Sequence, residues 1–248
     1  GMDDASVHTI DAWCQRMLRE HAFDSGSLFD EELMADERTL LTEATQDYWR
    51  QHCYPLRGEV LDIALSVWGS VDDLLQDVRQ LIAQAVSPEA GRGTLGQCVV
   101  REQQAHQERL QALAAGWVER AQAMQTWLDA QTAPKTCDWD RKKLSSRYYT
   151  GWLAQLIAWA QSPQQKLELS DTARERLTPE GLRAVNKTGD LPADTPDHFE
   201  AFAALLQACD ALPDPKVALR LHAVARVNER LAGLKRQAGT FGFADMLA

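Results

Sequence analysis

Apolar residues recur three and four positions apart through almost the whole of this 248-residue chain, and no segment sustains an alternation of period two. The pattern excludes a sheet framework and predicts an all-α protein. Helix boundaries must then come from prolines, glycines and capping side chains.

Reading those boundaries gives a coarse map. After an extended lead at Val7-His8, a helix is expected from Asp11 to His21, capped by Thr9 or Asp11, until Asp24-Ser25-Gly26 breaks it. Leu33, Leu40, Leu41, Ala44, Tyr48 and Trp49 predict a second helix over 30–52, which Pro55 ends. Helices are also expected over 58–67 and 71–85. The second of these follows Ser70-Val71-Asp72-Asp73, a capping box with Asp where Glu or Gln is usual. Residues 87–93 read as a loop.

Leu110, Leu113, Trp117, Met124, Trp127 and Leu128 then predict one uninterrupted helix over 97–131. Such a helix would be roughly 50 Å long, enough to project from a compact body. With a turn at 132–141 and an aromatic-rich helix at 145–160, it makes a hairpin or arm over about 97–160. Thr178-Pro179, Thr195-Pro196 and Asp214-Pro215 each place a capping side chain before a proline at the first helical position. The last helix is expected over 215–237, ending at Gly239, and the stretch 186–196 reads as a linker.

The net charge of −10 is unevenly spread. Residues 1–50 hold seven Asp and five Glu against four Arg. Residues 135–149 carry Lys135, Arg141, Lys142, Lys143 and Arg147 against Asp138 and Asp140. Residues 216–248 carry Lys216, Arg220, Arg226, Arg230, Lys235 and Arg236 against Glu229 and Asp245. An acidic chain is a poor general polyanion binder, and with its charge polarised along the sequence any contact with a polyanion such as DNA is expected to be local. The five scattered cysteines form no C-x-x-C pair and read as reduced thiols of a cytoplasmic protein. No apolar run approaches membrane-spanning length, and Gly1 before Met2 reads as the remnant of a removed tag.

Catalytic patterns are missing from the string. There is no G-x-x-x-x-G-K-[ST] to cradle phosphates and no D-E-x-Q to hold magnesium, so this segment alone is expected to be no enzyme and to hold no cofactor or metal. Gly91-Arg92-Gly93-Thr94-Leu95-Gly96 spells G-x-G-x-x-G, but it follows a helix and a proline loop where a dinucleotide site requires a strand. It reads as a flexible connector. His8, His21, His52, His106, His198 and His222 lack metal-site spacing and read as solvated or core residues.

The two ends carry a resemblance. Thr9-Ile10-Asp11-Ala12-Trp13-Cys14 resembles the T-I-H-G-F-C segment of superfamily 1 DNA helicases, and Gly242-Phe243-Ala244-Asp245-Met246-Leu247 resembles their G-F-D-D-M-L segment. The continuation Arg19–Gly26 narrows the likeness to the helicase–nuclease branch, and Phe23–Phe29, Tyr48–Leu56 and Asp140–Lys143 also resemble it, with 85–130 matching loosely. The resemblance implies an excised helical insertion of the first motor domain, the 1B type, covering 1–248. Pieces of motor domain 1A would flank it at 1–26 and 238–248. It also implies an arm on duplex DNA ahead of the fork, and ATP and Mg2+ bound elsewhere in a parent enzyme that works with partner subunits.

By that resemblance Thr9 and Trp13 lie near single-stranded DNA. Asp11 replaces the family histidine and would repel phosphate. The basic turn at Lys135, Arg141, Lys142, Lys143 and Arg147 would contact duplex phosphates, with Tyr148, Tyr149 and Trp152 anchoring it. The same turn also fits a solvated helix end over core aromatics. The C-terminal basic row fits a solvated amphipathic helix or a face toward a neighbouring motor domain. A different reading makes the chain a protein-interaction module that docks on partner subunits without touching DNA.

Overall fold

The computed structural model describes residues 26–247, with side chains described over 35–239. The expected helix at 11–21 and the positions Thr9, Asp11 and Trp13 lie outside the described residues. So do the side chains of the 242–247 motif, although the backbone there is helical.

Among the described residues the protein is helical and forms no strand; an isolated antiparallel bridge joins Trp139 to Asn186. The helices are α1 (Gly26–Tyr48), continued by a π-helical turn (Trp49–Cys53), α2 (Gly58–Val67), α3 (Val71–Leu81), a 3-10 turn (Pro88–Gly91), and α4 (Leu95–Ala114). There follow α5 (Trp117–Thr132), α6 (Ser146–Gln161), α7 (Asp171–Arg176), α8 (Pro179–Ala184), α9 (His198–Asp210) and α10 (Pro215–Leu247). They form two compact units, residues 1–103 with 214–248, and residues 104–213.

In the first unit α10 packs against α1, α3 and the 3-10 turn. Its core contains Ala44, Tyr48, Trp68, Leu74, Val78, Leu95, Leu219, Ala223, Val227 and Leu231. Fully burying a Leu or Val side chain contributes about 1.5–3 kcal/mol. Polar contacts then fix the register. Ser70 caps α3 as expected, accepting from Asp73 N at 3.2 Å, while Asp73 Oδ2 accepts from Gly69 N at 3.1 Å, one residue before the N-cap N–H that the return bond of a full capping box would take.

The G-x-G-x-x-G stretch is pinned, in contrast to the expected flexible connector. A Cβ at Gly91 would sit 3.0 Å from the Ala225 Cβ, so glycine lets the turn touch α10. Gly93 has φ +73°, and its carbonyl accepts from Arg226 Nη2 at 2.9 Å and from His222 Nε2 at 3.0 Å.

The second unit has its own core around Trp117, Met124, Leu128, Trp139, Leu144, Tyr149, Leu153, Phe199 and Phe202. The predicted single helix over 97–131 is two helices. Gly116 takes φ +80°, the left-handed conformation that stops α4 and lets α5 begin at Trp117. The inward residues of the α5 and α6 hairpin share a core with 167–209.

Two further expectations fail. The stretch 186–196 is no linker, since Asn186 is buried and the units divide at Gln103–Gln104 and Pro213–Asp214. Helix α10 runs past Gly239 to Leu247, where glycine costs only about 1 kcal/mol in an otherwise helical run.

Candidate nucleic-acid interface

The basic turn lies between α5 and α6, and its shape follows from two buried residues. Trp139 is buried and donates its indole N–H to Gln131 Oε1 at 3.0 Å; Leu144 is fully buried. Between them the Asp140 carboxylate accepts from Lys142 N at 3.0 Å, and the Asp140 carbonyl accepts from Lys143 N at 3.0 Å and Leu144 N at 2.8 Å. The chain therefore folds over Asp140 and leaves Arg141, Lys142 and Lys143 exposed at the crest, with Lys135 and Arg147 exposed on either side.

The turn is also held from a distance. Asp140 N donates to the Val185 carbonyl at 2.8 Å, and Lys187 N donates to the Asp138 carbonyl at 2.6 Å, on either side of the Trp139–Asn186 bridge. This pairing brings Lys187 to the cluster. Its Nζ reaches the Cys137 carbonyl at 3.4 Å while the side chain stays exposed. Lys187 was not legible locally, because only the tertiary pairing of 138–140 with 185–187 places it there.

Cys137 reports the resulting electrostatics. Burial pushes its thiol upward. That effect is outweighed by the Arg141 Nε–H bond at 3.3 Å, by the backbone of Trp139, and by the charges of Arg141 and Lys187, which together hold it below the usual thiol range. Among the described residues, none of the ion pairs involves Lys135, Arg141, Lys142, Lys143, Arg147 or Lys187.

The aromatics divide in role. Tyr149 is buried, donates to Asp129 Oδ1, and lies 3.2 Å from Thr132 Oγ1, tying α6 to α5. Burial first, and the Asp129 carboxylate second, push its hydroxyl up to about 12. Tyr148, expected to anchor the turn, is 42% exposed and stacks on Trp152 instead.

The C-terminal basic row behaves differently, all within the first unit. Arg220 Nε binds Asp77 Oδ2 at 3.0 Å, Arg230 Nε binds Asp47 Oδ2 at 3.0 Å, and buried Lys235 binds Glu37 Oε1 at 2.9 Å. Asp47 is held below the ordinary carboxylate value: burial raises it, but the bonds and charges of Arg230 and Arg50 prevail. A cleft of about 300 Å³ lined by Asp47, Tyr48, Gln51, His52, Arg226 and Arg230 lies on this side. Behind it, buried His222 accepts from the Tyr48 hydroxyl at 2.7 Å through Nδ1, and His52 Nδ1 accepts from Leu95 N at 3.3 Å. His52 and His222 are thus core residues, and no metal-binding cluster occurs among the described residues.

Fold and site together define an acidic, two-unit helical segment with a concentrated basic turn that has no ion-pair partner among the described residues. No protein-family model matches the chain. Along its whole length it resembles a fragment of RecB: it is 32% identical over 254 residues to the RecBCD enzyme subunit RecB of Escherichia coli (strain K12), covering all of this chain and 20% of that protein. RecB of Haemophilus influenzae is 24% identical over 264 residues, covering 99% of the chain and 22% of that protein. RecB of Buchnera aphidicola (subspecies Acyrthosiphon pisum) is 33% identical over 78 residues. The chain thus spans about one fifth of the length of the two relatives it matches end to end. No helix among the described residues is long and apolar enough to cross a membrane.

Proposed function

We propose that this chain is a helical segment of a RecB-type helicase–nuclease subunit, and that its turn at 135–149, with Lys187, holds DNA by its phosphates. In this reading the whole protein uses ATP and Mg2+ for 3′-to-5′ translocation. It works in the cytoplasm with RecC and RecD in the repair of double-strand breaks by homologous recombination. The segment contributes DNA engagement and no chemistry of its own, as a 1B-type insertion flanked by motor pieces at 1–26 and 238–248. Thr9 and Trp13, outside the described residues, would meet the single strand.

One contrast carries the DNA assignment. Six exposed bases at the turn have no ion-pair partner among the described residues, whereas Arg220, Arg230 and Lys235 are bound to acids of the fold. Cations left unpaired on a net acidic protein form a local positive surface, and phosphates are the polyanion such a surface fits. Binding of this kind ignores sequence and weakens with salt, each contact adding about −0.9 to the slope of log K against log salt. Titration of labelled duplex DNA at low and moderate salt tests it. Weak, salt-sensitive binding that Lys142→Ala/Lys143→Ala abolishes is expected; equal binding by wild type and the double variant overturns it.

A second reading rests on an apolar groove of about 230 Å³ in the first unit, lined by Trp49, Leu56, Leu61 and Leu65, with Tyr54 62% exposed and Leu65 41% exposed. It would dock a partner subunit such as RecC. Loss of co-purification with RecC on Tyr54→Ser/Leu65→Ser, with DNA binding intact, would favour it.

A further inference from the structure

Phosphate contact does not use the aromatic pair beside the turn. Tyr148 and Trp152 are four residues apart on α6 and so share a face. Their ring centroids are 6.3 Å apart with planes inclined by 20°. Trp152 is half-buried and packed against the core of the second unit, which fixes its plane, while Tyr148 is exposed. The Arg147 guanidinium lies 5.7 Å from the Tyr148 ring centroid. The first turn of α6 contains no acidic residue.

The geometry points to a stacking site for an unpaired nucleobase on the Tyr148–Trp152 pair, with the neighbouring bases holding its phosphates. It rests on the reading that the turn binds DNA, and it names which DNA the turn prefers. Phosphate contacts alone give no preference for a single strand, since a duplex presents the denser row of charge. An exposed aromatic face backed by a fixed indole gains only from a base whose own π-face is free, and bases inside a duplex are already stacked on their neighbours. Arg147 completes the site: a guanidinium that packs on an aromatic ring can close over an inserted base or move aside to a phosphate, since Arg stacks and binds phosphate with the same planar group. Order along the chain fits this use. The exposed lysines at 142 and 143 precede Arg147 and Tyr148, so one strand can set its backbone on the turn and lay a base on the first turn of α6.

The experiment compares a blunt duplex with the same duplex carrying a single-stranded dT tail, by anisotropy at low salt on the full chain. The tailed duplex is expected to bind about fivefold tighter or better. Tyr148→Ala should erase that advantage, read as the ratio of tailed to blunt affinity, while Tyr148→Trp should retain it. No advantage for the tail, or an advantage that survives Tyr148→Ala, overturns the stacking site and leaves the phosphate reading standing. Failure of Lys142→Ala/Lys143→Ala to weaken either probe overturns both.

Discussion

Lys187 Nζ lies 3.4 Å from the backbone carbonyl of Cys137, across fifty residues of sequence, and this contact extends the basic turn beyond the segment that spells it. Because Lys187 remains exposed, it is available to phosphate as well. Lys187→Ala should therefore weaken duplex binding several-fold and make the salt slope shallower by about 0.9, as loss of one phosphate contact requires. Thermal stability should be unchanged, since an exposed side-chain bond contributes little. An unaltered salt slope would remove Lys187 from the interface.

Asp77 makes the opposite case in the C-terminal row. Its Oδ2 accepts from the buried Trp68 indole at 2.8 Å and from Arg220 Nε at 3.0 Å. Asp77→Ala leaves the Trp68 N–H without an acceptor in the core, and such an orphan costs about 1–3 kcal/mol. A drop of that size in the urea unfolding free energy is expected, with DNA binding at the basic turn unaffected. An Asp77→Ala variant as stable as wild type would show that the Asp77 contacts to Trp68 and Arg220 do not hold the fold.

The comparison of Asp77 with Lys187 also says what a sequence can disclose. Local signals held where one side chain meets its own backbone: Ser70 caps α3, Thr178 accepts from Gly181 N at 3.1 Å, and Asp214 accepts from Lys216 N at 2.9 Å. At Thr195 the same pattern failed, because its hydroxyl donates to the Pro192 carbonyl at 2.6 Å and α9 begins at His198. Gly116 and Gly239 look alike in a helical pattern, yet only Gly116 turns left-handed and stops a helix. The turn at 135–149 was legible because its charges are contiguous. That the row at 220–235 would be neutralised was not, since Asp77, Asp47 and Glu37 come from distant helices.

Two glycines should respond in opposite directions to alanine. A Cβ at Gly181 would lie 1.7 Å from the Glu175 carbonyl oxygen, a backbone atom that no rotamer change can move. Gly181→Ala should cost about 3 kcal/mol, at the upper end for overpacking. Gly151 lies exposed within α6 with nothing within 4 Å of the added carbon. Gly151→Ala should stabilise by about 0.5–1 kcal/mol through helix propensity. Urea midpoints of the two variants check both signs, and a neutral Gly181→Ala would contradict the packing of α7 against α8.

Acid should weaken the first unit before its carboxylates titrate. Burial, then His222 and Arg226, hold His52 down to about 4, and burial is also the largest influence lowering His222, against the Gly93 carbonyl that favours its proton. Both imidazoles are therefore neutral when folded, consistent with each using Nδ1 as an acceptor. In the unfolded chain they titrate near 6.5. Below that value the unfolded state binds more protons than the folded one, so stability is full above 6.5 and is lost as pH falls toward 4. The urea midpoint should decline across that window. His52→Asn, which keeps an acceptor for Leu95 N–H and removes the titrating group, should flatten the decline. A variant as steep as wild type would show that the buried histidines do not govern acid sensitivity.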